Sequence, residues 1–271
     1  MPLARVGEIE LSYERAGSGP PMLLIMGMSG TFDHWDAGFL EDLRRDFDVI
    51  VYDHRGVGSS TPLGQGRLTI AQLAEDAAGL LAVLQVDSAH VLGISMGGMI
   101  AQELALAGRA GTNRVRTLAL GCTYCGGEGS ALAGEEVMRK LAEGMSSGVR
   151  ERAVRAAWEV NVSPAFAAND EAYARFLEIG LRRAVSVEVI VAQMRAIAEH
   201  DTSTRLPQLR LPTLVIHGTL DEMLPVQNGH MIAGLIPNSR LEILDGIGHL
   251  FFWEQPARSA ELLRAHAAAH A

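Results

Sequence analysis

Six short apolar runs punctuate this chain, and their spacing constrains its fold more than any other feature. They are "MLLIMG" (22–27), "DVIVYD" (48–53), "HVLGIS" (90–95), "TLALGC" (117–122), "PTLVIHG" (212–218) and "RLEILDG" (240–246). Each is short, continuous and bounded by turn residues, as expected of a strand covered on both faces in a parallel sheet. Amphipathic segments lie between them. In "TIAQLAEDAAGLLAVLQV" Ile70, Leu73, Ala77, Leu80, Leu81 and Leu84 keep helical spacing, and Thr69 with Gln72 predicts a capping box. Strands alternating with helices imply an α/β fold, a mostly parallel sheet with helices on both faces. "GEIELSYERAG" (7–17) alternates residue by residue instead and predicts an antiparallel opening hairpin strand.

The alternation lapses between the fourth and fifth of these runs. "EEVMRKLAEGM", "VRERAVRAAWEV", "EAYARFLEIGL" and "SVEVIVAQMRAIAEH" are patterned as helices, the last with Val187, Ile190, Val191, Met194 and Ile197 on one face. The expected organisation is a core of residues 1–122 and 206–271 with a helical cap, 123–205, inserted between strands 6 and 7. Pro256 opens a closing helix.

A length of 271 residues suits one large α/β domain carrying such an insertion. The formal charge of −9, with Lys140 the only lysine, opposes binding to nucleic acid or to anionic membrane surfaces. The first residues contain no cleavable apolar segment, and no apolar run approaches the ~18 residues of a membrane span. The expectation is a cytoplasmic protein with no membrane partner. Cys122 and Cys125 make up half a zinc site at most, and no histidine spacing completes it, so they read as two thiols at a strand end. No metal or other cofactor is expected.

Chemistry is concentrated at the run "HVLGISMGGMIAQELAL" (90–106), where Gly93-Ile-Ser95-Met-Gly97 joins a strand to a helix. A second match to the same spacing, Gly144 to Gly148 around Ser146, has no strand before it and reads as a helix terminus. A serine hydroxyl is a weak nucleophile and needs a general base that is itself oriented by a third group. Both partners appear downstream: Asp221 in "TLDEMLP" after one strand, and His249 in "IGHLFFWEQP" after the next. Reactive residues of parallel sheets gather at that edge.

In these three motifs, in the order Ser, Asp, His, the chain resembles the α/β-hydrolase family over essentially all of its length outside the cap. The resemblance implies an eight-stranded sheet and a catalytic triad of Ser95, Asp221 and His249. It also implies an oxyanion hole from the backbone N–H groups of Met96 and Met28, although Met26-Gly27 stands where many relatives have His-Gly. The implied activity is hydrolysis of a carboxylic ester or lactone, acyl-homoserine lactones included, through an acyl-enzyme. Perhydrolase or carbon–carbon bond hydrolase chemistry on the same triad is one alternative, and a non-catalytic small-molecule-binding module is another. The substrate is expected to be a small molecule with an apolar acyl part. His34, Trp35, Met99 and Trp158 are candidates to line its pocket, the other reading of the cap aromatics being that they pack cap on core. Asp53, His54 and Arg55 read as braces, and His217 as a satisfied strand-end histidine. The oligomeric state is not legible.

Overall fold

Each apolar run forms a strand because it is buried from both sides. A computed structural model describes residues 1–108 and 114–270. The chain opens with a hairpin, Leu3–Val6 (β1) and Ile9–Gly17 (β2), followed by Pro21–Ile25 (β3), Asp48–Tyr52 (β4), Ala89–Ile94 (β5) and Val115–Gly121 (β6). Thr213–Gly218 (β7) and Arg240–Leu244 (β8) complete one eight-stranded sheet in the order β1-β2-β4-β3-β5-β6-β7-β8. The β1/β2 and β2/β4 pairs are antiparallel and the others parallel.

Successive strand residues point to opposite faces. Leu24, Val51, Ile94 and Ile216 face a cluster containing Phe39 and Leu43 of helix Ala37–Arg44 (α1). Leu262 and Leu263 of Pro256–Ala268 (α11) join it. Their neighbours Leu23, Ile50, Val91 and Val215 face the other cluster, with Leu73 of Ile70–Val83 (α2), Ile100 of Met96–Ala107 (α3) and Ile232 of Gln227–Leu235 (α9). Thr69 Oγ1 caps α2 by accepting the Gln72 N–H at 3.1 Å.

Among the described residues five α-helices lie between β6 and β7: Glu135–Ser146 (α4), Arg150–Asn161 (α5), Pro164–Ala167 (α6), Asp170–Arg182 (α7) and Val187–Ala198 (α8). Trp158 of α5 anchors them, its ring 5.1 Å from Phe176, 5.5 Å from Phe166 and 5.9 Å from Trp253 of the short helix Phe251–Glu254 (α10). At the base, Cys125 O accepts the Thr202 N–H at 2.8 Å, and Gln102 of α3 donates to Tyr124 O at 3.0 Å. Ser146 is the last residue of α4.

Helix α8 is oriented differently from its apolar pattern. Val187, Val191 and Met194 are exposed, and the helix buries Val189, Gln193 and Ala196. Small Ala196 permits close approach, and the Gln193 amide finds a backbone partner in the core, so the covered face is rotated away from the most apolar one. No helix among the described residues is long and apolar enough to cross a membrane.

Candidate active site

The strand order reverses between β3 and β5, and the crevice outside their C-terminal ends is where a parallel sheet receives ligands. Ser95 stands there, between β5 and α3, with φ 53° and ψ −126°. This left-handed conformation is costly for a residue with a side chain and persists only when its surroundings hold it. Here Ser95 N–H donates to Gly121 O at 3.0 Å, while Ser95 O accepts from Gly98 N–H at 2.9 Å and Thr123 Oγ1 at 2.7 Å. The helix can start this close to β3 only because position 97 is glycine. A Cβ there would stand 2.1 Å from Ile25 O and 2.7 Å from Met26 O.

The turn after β3 lies against Ser95. A Cβ on Gly27 would be 3.1 Å from Ser95 Cβ and 3.6 Å from its Oγ. The turn closes through Gly30 N–H to Gly27 O at 3.4 Å and carries Ser29 at φ 56°. Two outside groups hold it: His54 Nε2 lies 2.9 Å from Met26 O, and Gln193 Oε1 accepts the Ser29 N–H at 2.8 Å. Met96 starts α3, and the helix's own bonding to Ser95 O begins with Gly98 and Met99, so the Met96 N–H belongs to the unpaired first turn. Such a terminus favours negative charge.

Asp221 follows β7 and His249 follows β8, and both are buried. Asp221 Oδ2 and His249 Nδ1 are 2.7 Å apart. Asp221 Oδ1 accepts from Met223 N–H at 3.0 Å and Leu224 N–H at 2.9 Å. Burial would raise the carboxyl pKa, but the charge of His249 and hydrogen bonds from His217 and His249 outweigh it and hold the group at about 2. For His249 burial acts downward and is overcome by the Asp221 charge, so its pKa lies well above the ordinary value. Because the carboxylate accepts, Nδ1 carries the proton and Nε2 of the neutral ring is left to act as a base.

Three residues near this pair carry no motif. His217 Nε2 donates to Leu224 O at 2.6 Å and reaches Asp221 Oδ2 at 3.1 Å, so the strand-end histidine also orients the acid. Cys122 immediately follows β6 with its thiol beside His249, the ligand atoms of Cys122, Asp221 and His249 lying within 4.8 Å of one another. Burial pushes this thiol pKa up, and Asp221 Oδ2 and His249 Nδ1 are bonded to each other. Glu254 gathers the His249 loop: its Oε1 accepts from Gly248 N–H at 2.8 Å and from Ser163 N–H at 2.9 Å, beyond the end of α5. Its only signal in the sequence is a carboxylate set among the aromatics of "FFWEQP".

Three of the four candidate pocket residues, His34, Trp35 and Trp158, lie in or against one aromatic cluster, and the fourth, Met99, lies on the other face of the sheet. Trp35 is 2% exposed and packs on Phe39 and Phe252, at 5.8 and 4.7 Å. Trp158 is enclosed in the aromatic cluster described above, and Met99 is buried in the cluster on the other face of the sheet. His34 accepts the Thr31 N–H at 3.1 Å through Nδ1, and burial lowers its pKa to about 4. Asp53, His54 and Arg55 act as braces: Asp53 Oδ1 accepts the Phe32 N–H at 2.8 Å, and Arg55 pairs with Asp76 at 2.6 Å. Cys122 and Cys125 are free, buried thiols.

The model of a family described as the alpha/beta hydrolase fold matches residues 20–256. A relative from Azorhizobium caulinodans, provisionally named carbamate hydrolase RutD, is 30% identical over 97% of either chain. The 3-oxoadipate enol-lactonase 2 of Acinetobacter baylyi is 31% identical over 92% of this chain and 90% of its own. Among solved structures, the esterase RhEst1 from Rhodococcus sp. ECU1013 superposes with a TM-score of 0.85 at 27% identity, covering 99% of this chain and 98% of that one.

Proposed function

The chain belongs to the α/β-hydrolase family, and from that premise we propose that it hydrolyses carboxylic esters or lactones with Ser95 as nucleophile, His249 as general base and Asp221 as orienting acid. The observation that carries this reading is the buried Asp221–His249 pair at 2.7 Å, on the same sheet edge as a serine held in a strained strand-to-helix turn. His249 takes the Ser95 proton as Oγ attacks the acyl carbon. The tetrahedral oxyanion is received by the N–H groups of Met96 and Met28, and collapse expels the alcohol with a proton from His249. Water, deprotonated by the same imidazole, then releases the acid.

Residues 1–122 and 206–271 act as the core and 123–205 as a cap. Met28, half-buried beside the site, offers an apolar wall to the acyl part. The names of the enol-lactonase and esterase relatives support this substrate class. A carbamate presents the same acyl carbon, and the provisional name of one relative makes it the comparison substrate.

The test sets short p-nitrophenyl esters, lactones and carbamates before the purified protein, with fluorophosphonate labelling of Ser95 in parallel. Ester or lactone turnover and one label per chain are expected, both lost in Ser95→Ala. Wild-type rates in that variant, or a folded wild-type protein that neither labels nor turns over, would overturn the assignment.

A further inference from the structure

Helix α8 buries a glutamine where its covered neighbours are Val189 and Ala196. Gln193 has no exposed surface, its Oε1 accepts the Ser29 N–H at 2.8 Å, and its Nε2 is buried without a partner. A carboxamide removed from water ordinarily satisfies both ends, and an unpaired amide donor counts against stability. A methionine of similar length would fill the same space and exchange that unpaired donor for the Ser29 N–H, so the two side chains come out about even in stability. Stability therefore does not account for Gln193, whereas its bond to Ser29 does.

That bond falls on a turn that is weakly held from within. The internal hydrogen bond, Gly30 N–H to Gly27 O, is long at 3.4 Å, and Ser29 sits at φ 56°, a region unfavourable to side chains. The turn is clamped from outside at two points: on the core side at Met26 O by His54, and on the cap side at Ser29 N–H by Gln193. Between the clamps lies Met28, and Gly27 presses against Ser95.

We infer that Gln193 is a positioning residue for the reaction: through Ser29 it fixes the turn so that the Met28 N–H faces the developing oxyanion. The inference rests on the reading of Ser95 as nucleophile and Met28 as oxyanion donor. Its physical content is that seating α8 on the core and completing the oxyanion hole are one event. The second donor is in register only while the cap helix delivers its carboxamide.

Gln193→Met removes the acceptor and the unpaired donor together, and Gln193→Glu keeps an acceptor at the same reach. Both are compared with wild type and Ser95→Ala in steady-state ester hydrolysis and thermal unfolding. Removing an oxyanion donor outright costs about 10²–10³ in kcat, so a donor left in place but released should cost ~10-fold or more. The expected result for Gln193→Met is that loss in kcat, KM within about twofold and a thermal midpoint close to wild type, with Gln193→Glu recovering most of kcat. Wild-type kcat in Gln193→Met, a lowered midpoint accompanying the loss, or no recovery in Gln193→Glu would overturn the inference. If Ser95→Ala instead matched wild type, the reading of the site itself would fail, which separates the two failures.

Discussion

Replacing Asp221 by Asn changes one atom and inverts the hydrogen bonding around it. The carboxylate receives Met223 and Leu224 N–H on Oδ1, and His249 Nδ1 and His217 Nε2 on Oδ2 at 2.7 and 3.1 Å. Asparagine can keep Oδ1 on the two backbone donors, which fixes its orientation and preserves the fold. Its Nδ2 then faces His217 Nε2, which already donates to Leu224 O, and His249 Nδ1, which must become an acceptor. The His249 proton moves to Nε2, the nitrogen that takes the Ser95 proton in the proposed mechanism. Loss of this tautomer control is worth about 10⁴ in kcat, or about 5.5 kcal/mol of transition-state stabilisation.

The pH profile of this variant gives a second, independent signature. On the proposed mechanism His249 works as a base only when neutral, so wild-type activity should fall as pH drops through its raised pKa. Without the Asp221 charge that pKa descends, and the acid limb of kcat/KM moves to lower pH even as the plateau collapses. The carboxylate pKa of about 2 lies below its unfolded value, so its stabilisation is present above pH ~4 and lost as pH falls toward 2. Ester hydrolysis measured from pH 5 to 10, with circular dichroism to confirm folding, tests both signatures. A variant within tenfold of wild type, or an unmoved acid limb, would refute the reasoning.

Two further outcomes are expected. Trp158→Ala empties a fully buried aromatic site and should cost about 3–5 kcal/mol in urea unfolding, a loss under ~1 kcal/mol showing that the cap does not depend on that cluster. Burial raises the Asp53 pKa to about 6, above its unfolded value, so its ionisation opposes folding increasingly as pH rises from about 4 to 6. The thermal midpoint of Asp53→Asn relative to wild type should therefore climb across that window, and a pH-independent difference would exclude the effect.

The sheet was legible because its strands are buried on both faces and therefore read as unbroken apolar runs, as Leu23 and Leu24 show by packing in opposite clusters. The Ser95 turn was legible because its geometry demands glycine at fixed neighbours. Helix α8 shows the limit. Periodicity groups Val187, Val191 and Met194 on one face, but it cannot say which face is covered, and the structure covers the one with Gln193. The candidate pocket residues meet a related limit: size and aromaticity are shared by pocket walls and by core, and Trp35 and Trp158 are both buried among other aromatics.

Local periodicity and turn chemistry suffice for the α/β alternation, for the helical patterning between β6 and β7 and for the residue types of the Ser, Asp and His motifs. What supports them arises only when the chain packs. Cys122 beside the imidazole, Glu254 on Ser163 91 positions away and Gln193 on the turn 164 positions away are contacts between distant segments. No local pattern encodes them, since each depends on which faces meet once the sheet and its inserted helices have packed.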